Sequence, residues 1–104
     1  MAPIDDDDKQ LKCRILGTSF PWNPPGTMNV SIDGEDVGSF DYGADGSEPM
    51  NFSCTRGNHT FRFSVDGTRI SCSGALRIGK QLRFIPGMRV NPYNGAAVCS
   101  LTPQ

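Results

Sequence analysis

Apolar and polar residues alternate with a period of two through most of this chain. The pattern is clearest between Asn58 and Ser73. Phe61, Phe63 and Val65 are interleaved with Thr60, Arg62 and Ser64, and Ile70 and Cys72 with Arg69, Ser71 and Ser73. That period sends successive side chains to opposite faces of a strand. Asp66-Gly67, between the two runs, is a dipeptide favoured in type I′ turns, so the segment is expected to fold as a β-hairpin. With Val65 opposite Thr68, Phe63 would face Ile70 and Phe61 would face Cys72. One face is then apolar and carries a cysteine, while the other carries arginine and serine.

The same alternation marks Leu11–Ile15, Met28–Ile32 and Met50–Cys54. Val37–Tyr42 reads as a return strand after an Asp33-Gly34 turn. Leu76 and Ile78, then Leu82 and Phe84, flank a Gly79-Lys80 turn. Pro86-Gly87 is expected to turn the chain again before Met88 and Val90. Asn91–Gly95 is a turn-rich loop, and Val98–Leu101 closes the domain. Gly17–Gly26 holds Pro21, Pro24 and Pro25 and is expected to be loop. Every stretch that could have helical spacing is broken by Gly or Pro. Seven to nine short strands with almost no helix predict an all-β fold, a small antiparallel β-sandwich of immunoglobulin-like kind.

Length and cysteine content sharpen this picture. Asp5-Asp6-Asp7-Asp8-Lys9 is similar to an enteropeptidase recognition sequence, so residues 1–9 are read as a tag remnant and residues 10–104 as one domain. A domain of roughly 95 residues is marginal on its core alone. Cys13, Cys54, Cys72 and Cys99 are even in number and contain no C-x-x-C pair, which favours two disulfides over a zinc or redox motif. Of the three possible pairings, the one taken here is Cys13–Cys99, tying the first strand to the last, with Cys54–Cys72 clipping the strands beside Phe61. The second bond requires those strands to be offset or in different sheets, because the outer strands of a flat three-stranded ladder lie about 10 Å apart. Disulfides imply an oxidising compartment: extracellular, periplasmic or cell-surface, with a leader peptide already removed. No apolar run reaches membrane-spanning length.

The formal charge of −1 hides a segregation. Without residues 1–9, which hold four Asp and one Lys, it becomes −1 + 4 − 1 = +2. Asp33, Glu35, Asp36, Asp41, Asp45 and Glu48 form a stretch without a base. Beyond Met50, Asp66 is the single acid among seven bases. Arg62, Arg69, Arg77 and Arg83, with Arg89 as a further member, alternate with core positions, so a shared basic sheet face is expected, suited to an acidic protein or an anionic glycan. The outward positions identified lack a stacking platform, so nucleic acid is not expected.

Val30-Ser31-Ile32-Asp33-Gly34-Glu35-Asp36-Val37-Gly38, followed by Gly57-Asn58-His59-Thr60-Phe61-Arg62-Phe63, resembles a PEGA-type module, with its V-x-I-D-G-x-x-x-G element and downstream G-x-H strand. The P-E-G-A tetrad itself is absent. The resemblance covers roughly residues 26–65. It implies a small bacterial surface or exported β-sandwich that binds or spaces other domains without performing chemistry.

Candidate chemistry is sparse. His59 is the sole histidine, and no serine sits in a G-x-S-x-G elbow that would make it part of a hydrolytic triad. The acidic loops miss the spacing of a calcium-binding loop. Neither enzyme activity, nor a metal, nor another cofactor is expected. Phe20, Trp22, Tyr42 and Tyr93 lie in or beside Pro- and Gly-rich loops and are the candidate aromatic anchors. The function expected is that of an exported, monomeric, non-catalytic binding module. Its rival is a secreted inhibitor that inserts Phe20–Pro25 or Pro92–Gly95 into a target enzyme.

Overall fold

Alternation along each strand sorts the side chains into one shared core and two outer faces. A computed structural model describes residues 10–19 and 25–104. Among them are nine strands and no helix: β1 (Leu11–Ile15), β2 (Gly26–Ile32), β3 (Glu35–Gly43), β4 (Gly46–Ser47), β5 (Met50–Cys54), β6 (Gly57–Val65), β7 (Ser71–Ile78), β8 (Arg83–Val90) and β9 (Ala97–Pro103). They form a four-stranded sheet in the order β5-β1-β8-β9 and a five-stranded sheet in the order β4-β3-β2-β6-β7. The expected disulfide-stabilised all-β sandwich is therefore present. Cys13, Ile15, Phe52, Phe84 and Leu101 enter the core from the first sheet; Met28, Val30, Phe40, Phe61, Phe63, Leu76 and Ile78 enter it from the second. No polar or charged side chain among the described residues is buried with them.

One pairing departs from the antiparallel expectation. β1 and β8 run parallel, with Arg14 beside Arg83 and Ile15 beside Phe84. These strands are far apart in the chain and no hairpin joins them, so nothing local enforces the antiparallel sense. The other strand pairs described are antiparallel.

The β6–β7 hairpin forms, but two residues out of the expected register. Phe63 faces Cys72 and Phe61 faces Gly74, and a longer connection runs from Val65 to Ile70. Of Asp66-Gly67 only Gly67 has positive φ, 75°, and Thr68 N–H donates to Val65 O at 3.1 Å. That is the pattern of a type II turn, not type I′. A slip of two preserves the face of every residue, so Cys72 remains buried. Ile70 is displaced into the connection and is 38% exposed. The type I′ turn lies elsewhere, at Asp33-Gly34 between β2 and β3, with φ of 53° and 84°.

Pro86-Gly87 does not turn the chain; it lies inside β8. Leu82 and Phe84 offer their carbonyls to β1, and Arg83 offers its carbonyl to Gln104 on the β9 side. By alternation Pro86 points its nitrogen toward β1, whose pairing with β8 has already ended at Ile15–Phe84. The missing N–H therefore removes no ladder bond.

The disulfides are Cys13–Cys54 and Cys72–Cys99, which corrects both expected pairs. Cys13 and Cys99 stand on β1 and β9 with β8 between them, about 10 Å apart by strand spacing. Cys54 and Cys72 occupy edge strands of different sheets on opposite sides of the sandwich. Cys13 instead meets its diagonal neighbour Cys54 across β1–β5, and Cys72 bridges from β7 to β9, each at a Cα separation of 5.9 Å. The first bond reinforces one sheet; the second joins the two sheets at an edge.

That edge depends on Gly74. A Cβ there would come within 2.8 Å of the Phe61 ring and 3.3 Å of the Cys99 carbonyl. Gly74→Val is expected to cost about 1–3 kcal/mol by overpacking, read as a lower urea midpoint with an unchanged slope.

Candidate functional site

Three surfaces bring chemistry-bearing residues together: a cleft around His59, the hairpin tip at Tyr93, and the outer face of the four-stranded sheet.

The type I′ turn places the Asp33 backbone and side chain against the start of β6. Asp33 N–H donates to Thr60 O at 2.7 Å, and Thr60 N–H donates to Asp33 Oδ1 at 2.8 Å. Asp33 Oδ2 lies 2.6 Å from His59 Nδ1. On the far side of the ring, Nε2 lies 2.8 Å from the Thr55 carbonyl and 3.4 Å from its hydroxyl. Carboxylate and carbonyl both accept, so a ring with protons on both nitrogens satisfies both bonds. The hydrogen bond to Asp33 raises the His59 pKa above its ordinary 6.5, with burial opposing. The same bond, helped by Thr60 N–H, lowers that of Asp33 below 3.8. The pair lines a cleft of about 440 Å³ with Ile32, Glu35, Asp36 and Ser53. Held this way, both ring nitrogens of His59 are engaged by protein oxygens. Its bonds tie the β2–β3 turn to the β5–β6 connection.

The pH dependence follows from the signs. The raised His59 pKa contributes stability below about 6.5, lost as pH rises through the folded value; the lowered Asp33 pKa contributes above about 3.8, lost as pH falls through the folded value. The clamp is strongest between those limits. Asp33 is 54% exposed, so the gain stays below about 1 kcal/mol. Thermal melts from pH 4 to 8 should decline across neutrality in the parent chain and flatten there in His59→Gln.

Tyr93 crowns the β8–β9 connection and is 96% exposed. The loop beneath it is well bonded. Asn91 N–H donates to Ala96 O at 2.7 Å, Gly95 N–H to Asn91 O at 2.9 Å, and Tyr93 N–H to Asn91 Oδ1 at 2.8 Å. Tyr42, the other described aromatic candidate, is half-buried and packs on the core with its hydroxyl over Gly26. Phe20 and Trp22 lie outside the described residues.

The arginines do not share one face. Arg62 on β6 and Arg77 on β7 point outward from the five-stranded sheet, and Arg69 lies in their connection. Arg62 donates to Ser71 Oγ at 3.1 Å. Arg83 belongs to the other sheet. The expected single basic face is thus split, because β8 pairs with β1 and β9 and never with β7.

Arg83 gains different company. The outward side chains of β1 are Lys12 and Arg14, alternating with buried Cys13 and Ile15. Parallel pairing sets Arg14 directly beside Arg83, and Arg89 follows on the same side of β8. Lys12, Arg14 and Arg83 line a shallow groove of about 710 Å³ with Asn51, Ser53 and Leu82. Arg14 reaches Asn51 Oδ1 at 3.4 Å. No acid lies on a strand of this sheet; the seven acids among the described residues belong to the other sheet or to connections. No family model, curated protein or solved structure matches this chain. The assignment of a site therefore rests on the geometry of these surfaces.

Lys12 and Arg14 were not among the residues singled out from sequence. The signal was their shared parity opposite two buried side chains. What gives it weight is the β1–β8 pairing, which no local pattern announces.

Proposed function

We propose that this chain is an exported, non-catalytic binding module that engages an anionic partner through the outer face of its four-stranded sheet. The observation that carries the proposal is the acid-free set Lys12, Arg14, Arg83 and Arg89. Arg14 and Arg83 are adjacent like charges, an arrangement that costs stability in a sheet unless an anion bridges it. A field of one sign on a rigid face steers oppositely charged partners. Two disulfides favour an oxidising compartment. Both ring nitrogens of His59 are engaged, which supports a structural role for it over catalysis. The resemblance to PEGA-type modules supports the same reading, since the Asp33-Gly34 element and the His59 element that carry it are bonded to each other.

Amide chemical-shift mapping during titration with dextran sulfate tests the face. Perturbations should cluster on β1 and β8. A cluster on β6 and β7, or no site-specific change, would contradict the proposal.

A second reading, an inhibitor that inserts its β8–β9 tip, is favoured by one observation: an exposed tyrosine on a pre-organised loop. It requires Tyr93→Ala to abolish binding while Arg14→Gln/Arg83→Gln leaves it intact. The basic-face reading requires the reverse.

A further inference from the structure

The cations on this face form a line. β1 and β8 are parallel, so Lys12 precedes the Arg14–Arg83 pair and Arg89 follows it along one direction. Lys12 and Arg14 are two positions apart on β1, and Arg83 and Arg89 six positions apart on β8. At about 3.3 Å per residue, the charged track is roughly 26 Å long. It is only two strands wide. Between Arg83 and Arg89 the outward positions of β8 are Ile85, an exposed aliphatic side chain, and Gly87, so this stretch carries no acid and is open only at Gly87.

We infer that this track binds a linear anionic polysaccharide, one bearing sulfate or carboxylate groups, laid along β1 and β8. The inference rests on the basic-face reading above. The adjacent arginines Arg14 and Arg83 form the principal oxyanion subsite, toward the Lys12 end of the track, since forked donors suit planar carboxylate or sulfate oxygens. Lys12 and Arg89 hold the chain on either side of it.

The flanking strands decide between kinds of polyanion. Asn51 and Ser53 point outward from β5, and Ser100 and Thr102 from β9, so polar donors and acceptors flank the track on both sides, giving way to Val98 beside Arg89. Sugar hydroxyl groups can use such partners along their length. A protein partner wants an apolar, aromatic-rich centre, and this face holds no aromatic ring and two separated aliphatic side chains, Ile85 and Val98. Single-stranded nucleic acid wants stacking rings, which this face also lacks. An anionic membrane would be met best by cations spread over the whole face, and here they are confined to two adjacent strands.

The test measures affinity of the full chain for heparin, polygalacturonate, poly-glutamate and phosphatidylserine vesicles, with dissociation constants taken over a series of salt concentrations. A linear polyanion releases bound counterions when cations replace them, so log K should fall linearly with log salt. Arg14→Gln/Arg83→Gln should weaken glycan binding by about tenfold per guanidinium removed and make the salt slope shallower. Arg62→Gln/Arg77→Gln, on the other sheet, should leave both unchanged. Melting temperature provides the folding control: removing two adjacent like charges should leave it equal or higher. Glycan binding that depends on Arg14 and Arg83 supports the inference. Equal or tighter binding of poly-glutamate or of vesicles through the same two arginines overturns the glycan assignment and leaves the basic-face reading standing. Binding insensitive to Arg14 and Arg83, or no binding to any of the four probes, overturns both.

Discussion

Reducing both disulfides is expected to unfold this chain at 37 °C. In the chain-entropy account, closing loops of 41 and 27 residues is worth roughly 3.9 and 3.6 kcal/mol. The two loops do not overlap in sequence, so their effects on the unfolded chain add, to about 7.5 kcal/mol. Domains of this size have net stabilities of about 5–15 kcal/mol. Loss of both staples therefore removes a large share of the total and in the lower part of that range all of it. The two bonds also differ in kind. Cys13–Cys54 lies within one sheet, where β1 and β5 are already paired by backbone hydrogen bonds. Cys72–Cys99 joins the β7 and β9 edges of two different sheets, far from the Thr18–Ser47 backbone bridge that ties the layers near β4. Cys72→Ala/Cys99→Ala should consequently lose more cooperativity than Cys13→Ala/Cys54→Ala, although its loop is shorter. Urea titrations of the parent, the two double variants and the reduced chain would show this in midpoint and slope.

Phe63→Ala should cost about 3–5 kcal/mol. Phe63 is fully buried on β6, an interior strand of the five-stranded sheet flanked by β2 and β7. Its ring lies 5.0 Å from Phe61 and 6.0 Å from Phe40, the latter edge-to-face. Truncation leaves a cavity between two rings held by different strands, and neither can collapse into it without breaking the β2–β6 or β2–β3 register. Thermal denaturation should show a fall in midpoint of well over ten degrees, on the scale of about 4–8 °C per kcal/mol for domains of this size. An effect as small as that of an exposed substitution such as Ser73→Ala would contradict the core described here.

Much of the fold was legible because alternation states which face a side chain takes. The inward set Phe61, Phe63 and Cys72 and the outward set Arg62, Ser71 and Ser73 follow from period two alone. The same period is blind to a shift of two residues. That blindness is why Ile70 moved from the core face to the connection while Cys72 kept its side. Pro86 read as a turn residue because its unpaired nitrogen faces a neighbour that has already left the sheet, a fact of pairing and not of composition. The disulfides failed for a related reason: alternation buries all four cysteines without saying which strands lie side by side.

The candidate site was legible in part. Arg83 was rightly placed as an outward cation, but its neighbours depend on β1 crossing the chain to lie parallel to β8. Long-range pairing of that kind leaves no local signature, so Lys12 and Arg14 could be read as outward yet not as partners of Arg83. Likewise His59 and Asp33 are 26 residues apart and meet only because a type I′ turn delivers the carboxylate to the start of β6.

The arrangement of strands is the claim on which the rest depends, and the cysteines report it. Trypsin separates them cleanly: residues 13–14, 15–56, 70–77 and 90–104 each contain one. Mass analysis of a non-reduced digest should find residues 13–14 joined to 15–56 and residues 70–77 joined to 90–104. Linkage of residues 13–14 to 90–104, or of 15–56 to 70–77, would contradict the two-sheet arrangement and with it the alignment of Arg14 and Arg83.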